Sequence, residues 1–133
     1  MKPLLFSGII DRVRVFKNRC FSRFADKEDI TDNELKEAVN RLEQEQVDAD
    51  LGGGVYKMRV ARPGEGKSGG YRVIVFFKSE FRTFFVYGFA KSDRDNINER
   101  ELKVFKANAK TYLALTEEQI EAWLKRGTLK EVL

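Results

Sequence analysis

Two runs of β-branched and aromatic residues, "YRVIVFFK" (71–78) and "RTFFVYGFAK" (82–91), are joined by only three residues, "SEF". Such runs favour extended backbone, and so short a link turns the second strand back on the first. A hairpin in the middle of the chain is therefore the feature any fold must accommodate. The run before it, "VYKMRVA" (55–61), alternates, with Tyr56, Met58 and Val60 on one face and Lys57 and Arg59 on the other. "RVRVF" (12–16) offers a further strand.

Helices are marked by their caps. "ITDNEL" (30–35) sets Thr31 at the N-cap, Glu34 three residues on and Ile30 against Leu35, a capping box with a hydrophobic staple. Leu35, Ala38, Val39 and Leu42 follow at helical spacing. "INEREL" (97–102) repeats the pattern with Asn98 and Glu101. "LTEEQI" (115–120) does so with Thr116 and Gln119, and Gly127 suits the end of that helix. The order strand, helix, three strands, helix, helix predicts an α+β fold around an antiparallel meander.

Between the second and third strands lies "ARPGEGKSGGYR" (61–72). A Walker A loop would need glycine five positions before Gly66, where Ala61 stands. "GEGKSG" fits G-x-G-x-x-G, yet a strand follows it, and the dinucleotide fingerprint needs a helix N-terminus to receive the phosphates. The stretch reads instead as a flexible hairpin tip, with Gly69 and Gly70 free to take positive φ.

Composition narrows the chemistry. The chain has 133 residues, the length of one domain, with a single cysteine, Cys20, and no histidine. A lone cysteine fits a reducing compartment, here the cytoplasm, and histidine-activated nucleophiles and Cys/His zinc sites are excluded. The N-terminal run is too broken for a signal peptide, and no stretch approaches the ~20 apolar residues of a membrane span. Charge is uneven. Residues 28–50 hold nine acids against Lys36 and Arg41, whereas residues 57–94 hold nine Lys and Arg against Glu65, Glu80 and Asp93. A basic, strand-rich segment favours an anionic partner, and Arg and Lys suit phosphate, the one as a bidentate fork and the other as a point charge.

The stretches "KMRVARPGEGKSGGYRVIVFF" and "FVYGFAKSDRDNI" together resemble the RelE branch of the RelE/ParE toxin superfamily. More narrowly, they are similar to a HigB/RelE-like subgroup with a K-x-R-x-A-R-x-G-x-G-x-S-G-G-Y-R signature. The resemblance spans roughly residues 13–115. It makes residues 1–133 one toxin domain, with 1–12 as an N-terminal extension and 116–133 as an added C-terminal helix. It implies a compact antiparallel sheet with helices packed on one face. It also implies a bacterial type II toxin that cuts mRNA in the ribosomal A site, needs no metal or cofactor, and is silenced by an antitoxin encoded by an adjacent gene.

By this resemblance Lys57 and Arg59 match the paired basic residues of the second strand and Arg72 the arginine opening the third. Lys91 or Arg94 matches the basic residue ending the last. Arg62, Lys67 and Tyr71 are further RNA contacts. The family's late tyrosine has no counterpart in "SDRDNINE"; Tyr71 and Tyr87 are the nearest. Arginine does not act as a base near neutral pH, so Lys57, whose neighbouring cations favour a neutral amine, leads as the base, with Lys91 as second base or leaving-group acid. Two other functions stay open. One is a ParE-like gyrase inhibitor, whose relatives generally lack these cations. The other is a non-catalytic nucleic-acid-binding regulator.

Overall fold

The computed structural model describes residues 13–62, 66–78 and 82–133. Its elements run β1 (Arg14–Asn18), α1 (Arg19–Glu28), α2 (Asp32–Glu43), β2 (Ala49–Gly52), β3 (Val55–Arg62), β4 (Gly66–Lys78), β5 (Arg82–Ala90), α3 (Glu99–Leu113), α4 (Glu117–Arg126) and β6 (Leu129–Val132). The strands form one sheet in the order β2-β3-β4-β5-β1-β6. Neighbours are antiparallel except β1 and β5, which run parallel. The α+β class, the central meander and the C-terminal helix are as expected. No helix among the described residues is long and apolar enough to cross a membrane.

All three expected capping boxes are formed: Thr31 with Glu34, Asn98 with Glu101 and Thr116 with Gln119. Each satisfies backbone N–H groups that the first helical turn leaves unpaired, an effect worth about 1 kcal/mol per cap. Gly127 closes α4 at φ 78°. Helix α1 was not foreseen. It follows β1 without a break because Asn18 both ends the strand and caps the helix, accepting a hydrogen bond from the Phe21 N–H at 2.8 Å. Strands β2 and β6, four residues each, are too short to show a period.

The helices divide between the two faces of the sheet, two on each, where one covered face was expected. On one face Phe21 and Ala25 of α1 and Leu35, Val39 and Leu42 of α2 pack on Met58, Val73, Val75 and Phe85. On the other, Ala109 of α3 and Ile120 of α4 pack on Phe16, Ile74, Phe76 and Phe84, joined by Phe105 and Tyr112. Strand β4 alternates between these cores, and every residue from Tyr71 to Phe76 is buried. The glycine-rich stretch also differs from expectation. Residues 66–70 belong to β4, and Gly70 sits where the β3–β4 register shifts, so close that an added Cβ would meet the Val60 carbonyl oxygen at 2.5 Å. Gly70 is required for close approach of two strands, not for a positive φ.

A partly exposed ion cluster ties the last strand to the sheet. The Arg14 Nε donates to Glu131 at 2.9 Å and its Nη2 donates to the same carboxylate at 2.8 Å, while Nη1 reaches Glu117 at 2.9 Å. Arg82, the register partner of Arg14, donates to the Leu115 carbonyl oxygen and to Glu117. The bond from Arg14 holds the Glu131 carboxyl below its usual range. A carboxyl lowered in the folded state stabilises the fold above its ordinary value of ~4.3, and that contribution fades as pH falls through the lowered value. The urea midpoint should therefore drop between pH 6 and pH 3.5, and Glu131→Gln should make that drop smaller; an unchanged pH response in the variant would contradict the pairing.

Packing gives a second test. A Cβ at Gly88 of β5 would meet the Phe24 ring at 2.4 Å. Gly88→Ala should cost about 1–3 kcal/mol of stability by overpacking. Adding Phe24→Leu should recover part of it, so the two changes should couple favourably in a double-mutant cycle. Strict additivity in chemical denaturation would show that the Phe24 ring is not the obstacle.

Candidate active site

The pairing of β3 with β4 sets the frame. Arg59 and Arg72 are direct register partners, and Lys57 lies opposite Ile74, two residues along the same face. Alternation puts all three side chains on the face that carries α3, because Val55 and Ile74, of the same parity, belong to that core. Helix α3 covers the middle of this face, and Phe105 and Tyr112 pack edge-on against Phe76. Towards the α3 N-terminus the cover ends and the cations emerge. The acidic helix α2 packs on the opposite face and reaches this one only at its edge, where Glu37 and Arg41 line a groove with Asp48 and Arg59.

Arg72 is the most confined of these groups, with a side chain only 6% exposed. Its Nε lies 3.2 Å from Asp48 Oδ2, while Arg59 Nε lies 3.4 Å from Asp48 Oδ1. One carboxylate thus serves two guanidiniums. Asp48 precedes β2 and is fixed by its own backbone, whose N–H donates to the Lys57 carbonyl oxygen at 2.9 Å. Arg59 is exposed, and its carbonyl oxygen accepts from Arg41 Nη2.

Across the face, the segment after β5 supplies the second half. The Lys57 Nζ donates to Asn96 Oδ1 at 3.4 Å, and the Asn96 carbonyl oxygen accepts from Arg94 Nε at 3.0 Å. Arg94 makes a bidentate pair with Glu101, at 3.0 and 2.7 Å, and its Nη1 also donates to the Tyr87 hydroxyl at 3.1 Å. Its guanidinium lies 5.5 Å from the Phe89 ring centroid. Bonds to Glu101 and Tyr87 hold Arg94 firmly protonated, and Arg94 in turn lowers the Glu101 carboxyl. Among the described residues Lys57 and Lys91 make no ion pair, and Lys91 is exposed in the turn that leaves β5.

Of the residues singled out from sequence, Lys57, Arg59, Arg72 and Arg94 share this face. Lys91 stands at its margin. Tyr71 does not belong to it: the ring is buried in the α1/α2 core, edge-on to Phe24, and its hydroxyl donates to Glu28 at 2.8 Å. The side chains of Arg62 and Lys67 lie outside the described ones; on the backbone Arg62 ends β3 and Lys67 sits in β4 rather than mid-loop. Sequence reasoning missed Asp48, Asn96 and the place of Tyr87. Glu101 was recognised only as a capping residue.

A family model described as the RelE toxin of the RelE/RelB toxin–antitoxin system matches residues 13–132. The match takes in every element from β1 to β6, including α4. No curated protein matches the chain. With a match of that extent, on a meander that carries this basic face, the chain belongs to the RelE toxin family.

Proposed function

We propose that the protein is the endoribonuclease toxin of a type II toxin–antitoxin system, a cytoplasmic enzyme that cuts mRNA in the ribosomal A site. The observation that carries this reading is the convergence of Lys57, Arg59, Arg72 and Arg94 on one open face in a chain of the RelE family. Cleavage needs a base for the 2′-hydroxyl proton, cations for the charge that develops on phosphorus oxygens, and an acid for the leaving oxygen. Lys57 takes the 2′-hydroxyl proton. The 2′-oxygen attacks the adjacent phosphorus and the P–O5′ bond breaks, giving a 2′,3′-cyclic phosphate and a 5′-hydroxyl. Arg59 and Arg72 hold the phosphate. Tyr87, placed by Arg94, or Lys91 returns a proton to the 5′ oxygen. Four cations make a poor host for a divalent metal, and the reaction as written uses none.

The exposed side of α3 supports an extended anionic partner. Arg100, Lys103, Lys106 and Lys110 lie there, and among the described residues none makes an ion pair. Membership of a RelE/RelB system implies an antitoxin partner. That protein, encoded by an adjacent gene, silences the toxin by covering the basic face, which the chain's own acidic helix borders without covering. A gyrase inhibitor would have no use for the phosphate-binding pair on β3 and β4.

Expressed alone in a bacterial host, the protein should arrest growth and leave cleaved mRNA. Arg72→Ala should slow single-turnover cleavage on translating ribosomes by at least about 100-fold. Lys57→Ala should abolish cleavage while RNA binding survives; if binding is all that it removes, the chain is a binder and not a nuclease. The α3 cations should behave differently. Replacing Lys103, Lys106 and Lys110 together by Gln should flatten the log–log dependence of RNA affinity on salt by about 2, since each phosphate contact contributes ~0.7 for a single strand. The rate at saturating RNA should stay put. A slope equal to that of the wild type would remove α3 from the RNA path.

A further inference from the structure

Asp48 is an acid in the middle of a phosphate-binding face, and the roles given above leave it without a task. We propose that Asp48 is a positioning residue for the reaction: as the counter-ion shared by Arg59 and Arg72, it holds the two guanidiniums side by side for the scissile phosphate. The inference rests on the nuclease reading and deepens it.

Three observations lead here. Arg59 and Arg72 are register partners on adjacent antiparallel strands, so their Cα atoms stand only about 4.5–5.5 Å apart. Two guanidiniums so close repel, and a shared carboxylate offsets that repulsion. Second, Arg72 is buried, and its Nη1 has no hydrogen-bond partner among the described residues. A buried charge needs a counter-ion, and removing one partner of such a pair is costly. Asp48 is that counter-ion, with Oδ1 3.4 Å from Arg59 Nε and Oδ2 3.2 Å from Arg72 Nε. The unsatisfied Nη1 is sealed from solvent at rest, so a phosphate oxygen reaches it only if the guanidinium shifts outward, and it then supplies the missing acceptor. Third, Asp48 is not a plug on a swinging arm. Its backbone N–H is bonded to Lys57, the residue assigned as base, so the pair of arginines and the base are referenced to one stretch of sheet edge. Each carboxylate oxygen lies at ion-pair distance from one Nε, 3.4 and 3.2 Å, which is the arrangement of a counter-ion shared by two guanidiniums.

The test compares the wild type with Asp48→Asn and Asp48→Glu. Cleavage of ribosome-bound mRNA is followed over pH, binding is measured with RNA carrying a 2′-deoxy nucleotide at the scissile position, and the arginine Nε–H resonances are recorded by NMR. Asp48→Asn should cut the rate at saturating RNA by about 10- to 100-fold, as loss of an orienting partner does elsewhere. Binding should hold within about threefold by the same reasoning, and the low-pH limb of the rate profile should persist. Asp48→Glu should recover part of the rate. The Arg59 and Arg72 Nε–H signals, distinct in the wild type, should broaden or shift in Asp48→Asn. A faster variant would make Asp48 an inhibitory plug, and loss of the low-pH limb would make it the base; either overturns the proposal. So would unmoved arginine resonances. If Asp48→Asn does not fold, Asp48→Glu carries the same comparison, and a rate equal to wild type with altered resonances would refute it. Should the wild type cut no RNA at all, the nuclease reading fails, while the resonances still report whether Asp48 holds the arginines.

Discussion

Strand β4 lies under helices on both sides, and the rest of the molecule is arranged around that fact. A strand buried on two faces must place an apolar side chain at nearly every position, and "YRVIVFF" does so with one exception, Arg72. A guanidinium in such a strand has few ways to stay charged. The structure supplies Asp48 from the sheet edge as its counter-ion, and the same carboxylate offsets the repulsion from Arg59 on β3. The most constrained element of the fold and the most confined group of the site are thus the same strand. Changes in core packing around Ile74 or Phe76 will be felt by Arg72 directly.

What could be read from sequence was whatever is encoded locally. Capping boxes are a matter of residues three apart, and all three were legible. The parity of Lys57 and Arg59 on an alternating strand was legible for the same reason. Tyr87 was not, because parity fails where a strand bulges. The β4–β5 register shifts between Ile74 and Val75, so that Val75 faces Phe85 while Ile74 faces Tyr87. Counting by twos from Phe85 would send Tyr87 into the α1/α2 core; the extra residue, Val86, turns it to the α3 face instead. Tyr71, with no such bulge to re-aim it, stays in the core. Asp48 was hidden differently. It lies near the end of an acidic window that reads as the solvated face of a helix, and the pairing of its backbone with β3 brings its carboxylate beside the arginines.

The sheet also separates charge. On the α2 side, Leu42, Glu43, Glu45, Val47, Asp50, Tyr56 and Phe77 line a groove of about 430 Å³. Burial, with the carboxylates of Asp50 and Glu45, raises the Tyr56 phenol. Tyr56 and Lys57 are neighbours in sequence, yet a pleated strand sends one to the acidic face and the other to the basic face. A polyanion approaching this molecule therefore meets attraction on one side and repulsion on the other, and orientation is selected before contact.

The cations of the site are not equivalent, and their partners decide what each can do. Arg94 has its donors engaged by a bidentate carboxylate, a tyrosine hydroxyl and a backbone carbonyl oxygen. A phosphate would have to displace Glu101, which is also the residue that caps the α3 backbone at Asn98. Taking Arg94 for the substrate would then loosen the first turn of the helix that covers the face. Among the described residues Arg59 faces no such competition beyond Asp48, and Lys57 is held only by the amide of Asn96, a neutral partner at 3.4 Å that a substrate can replace at little cost. The arrangement divides the labour. Lys57 and Arg59 are the groups free to meet an incoming phosphate, Arg72 waits behind them with one donor unsatisfied, and Arg94 serves by keeping the start of α3 and the Tyr87 hydroxyl in place.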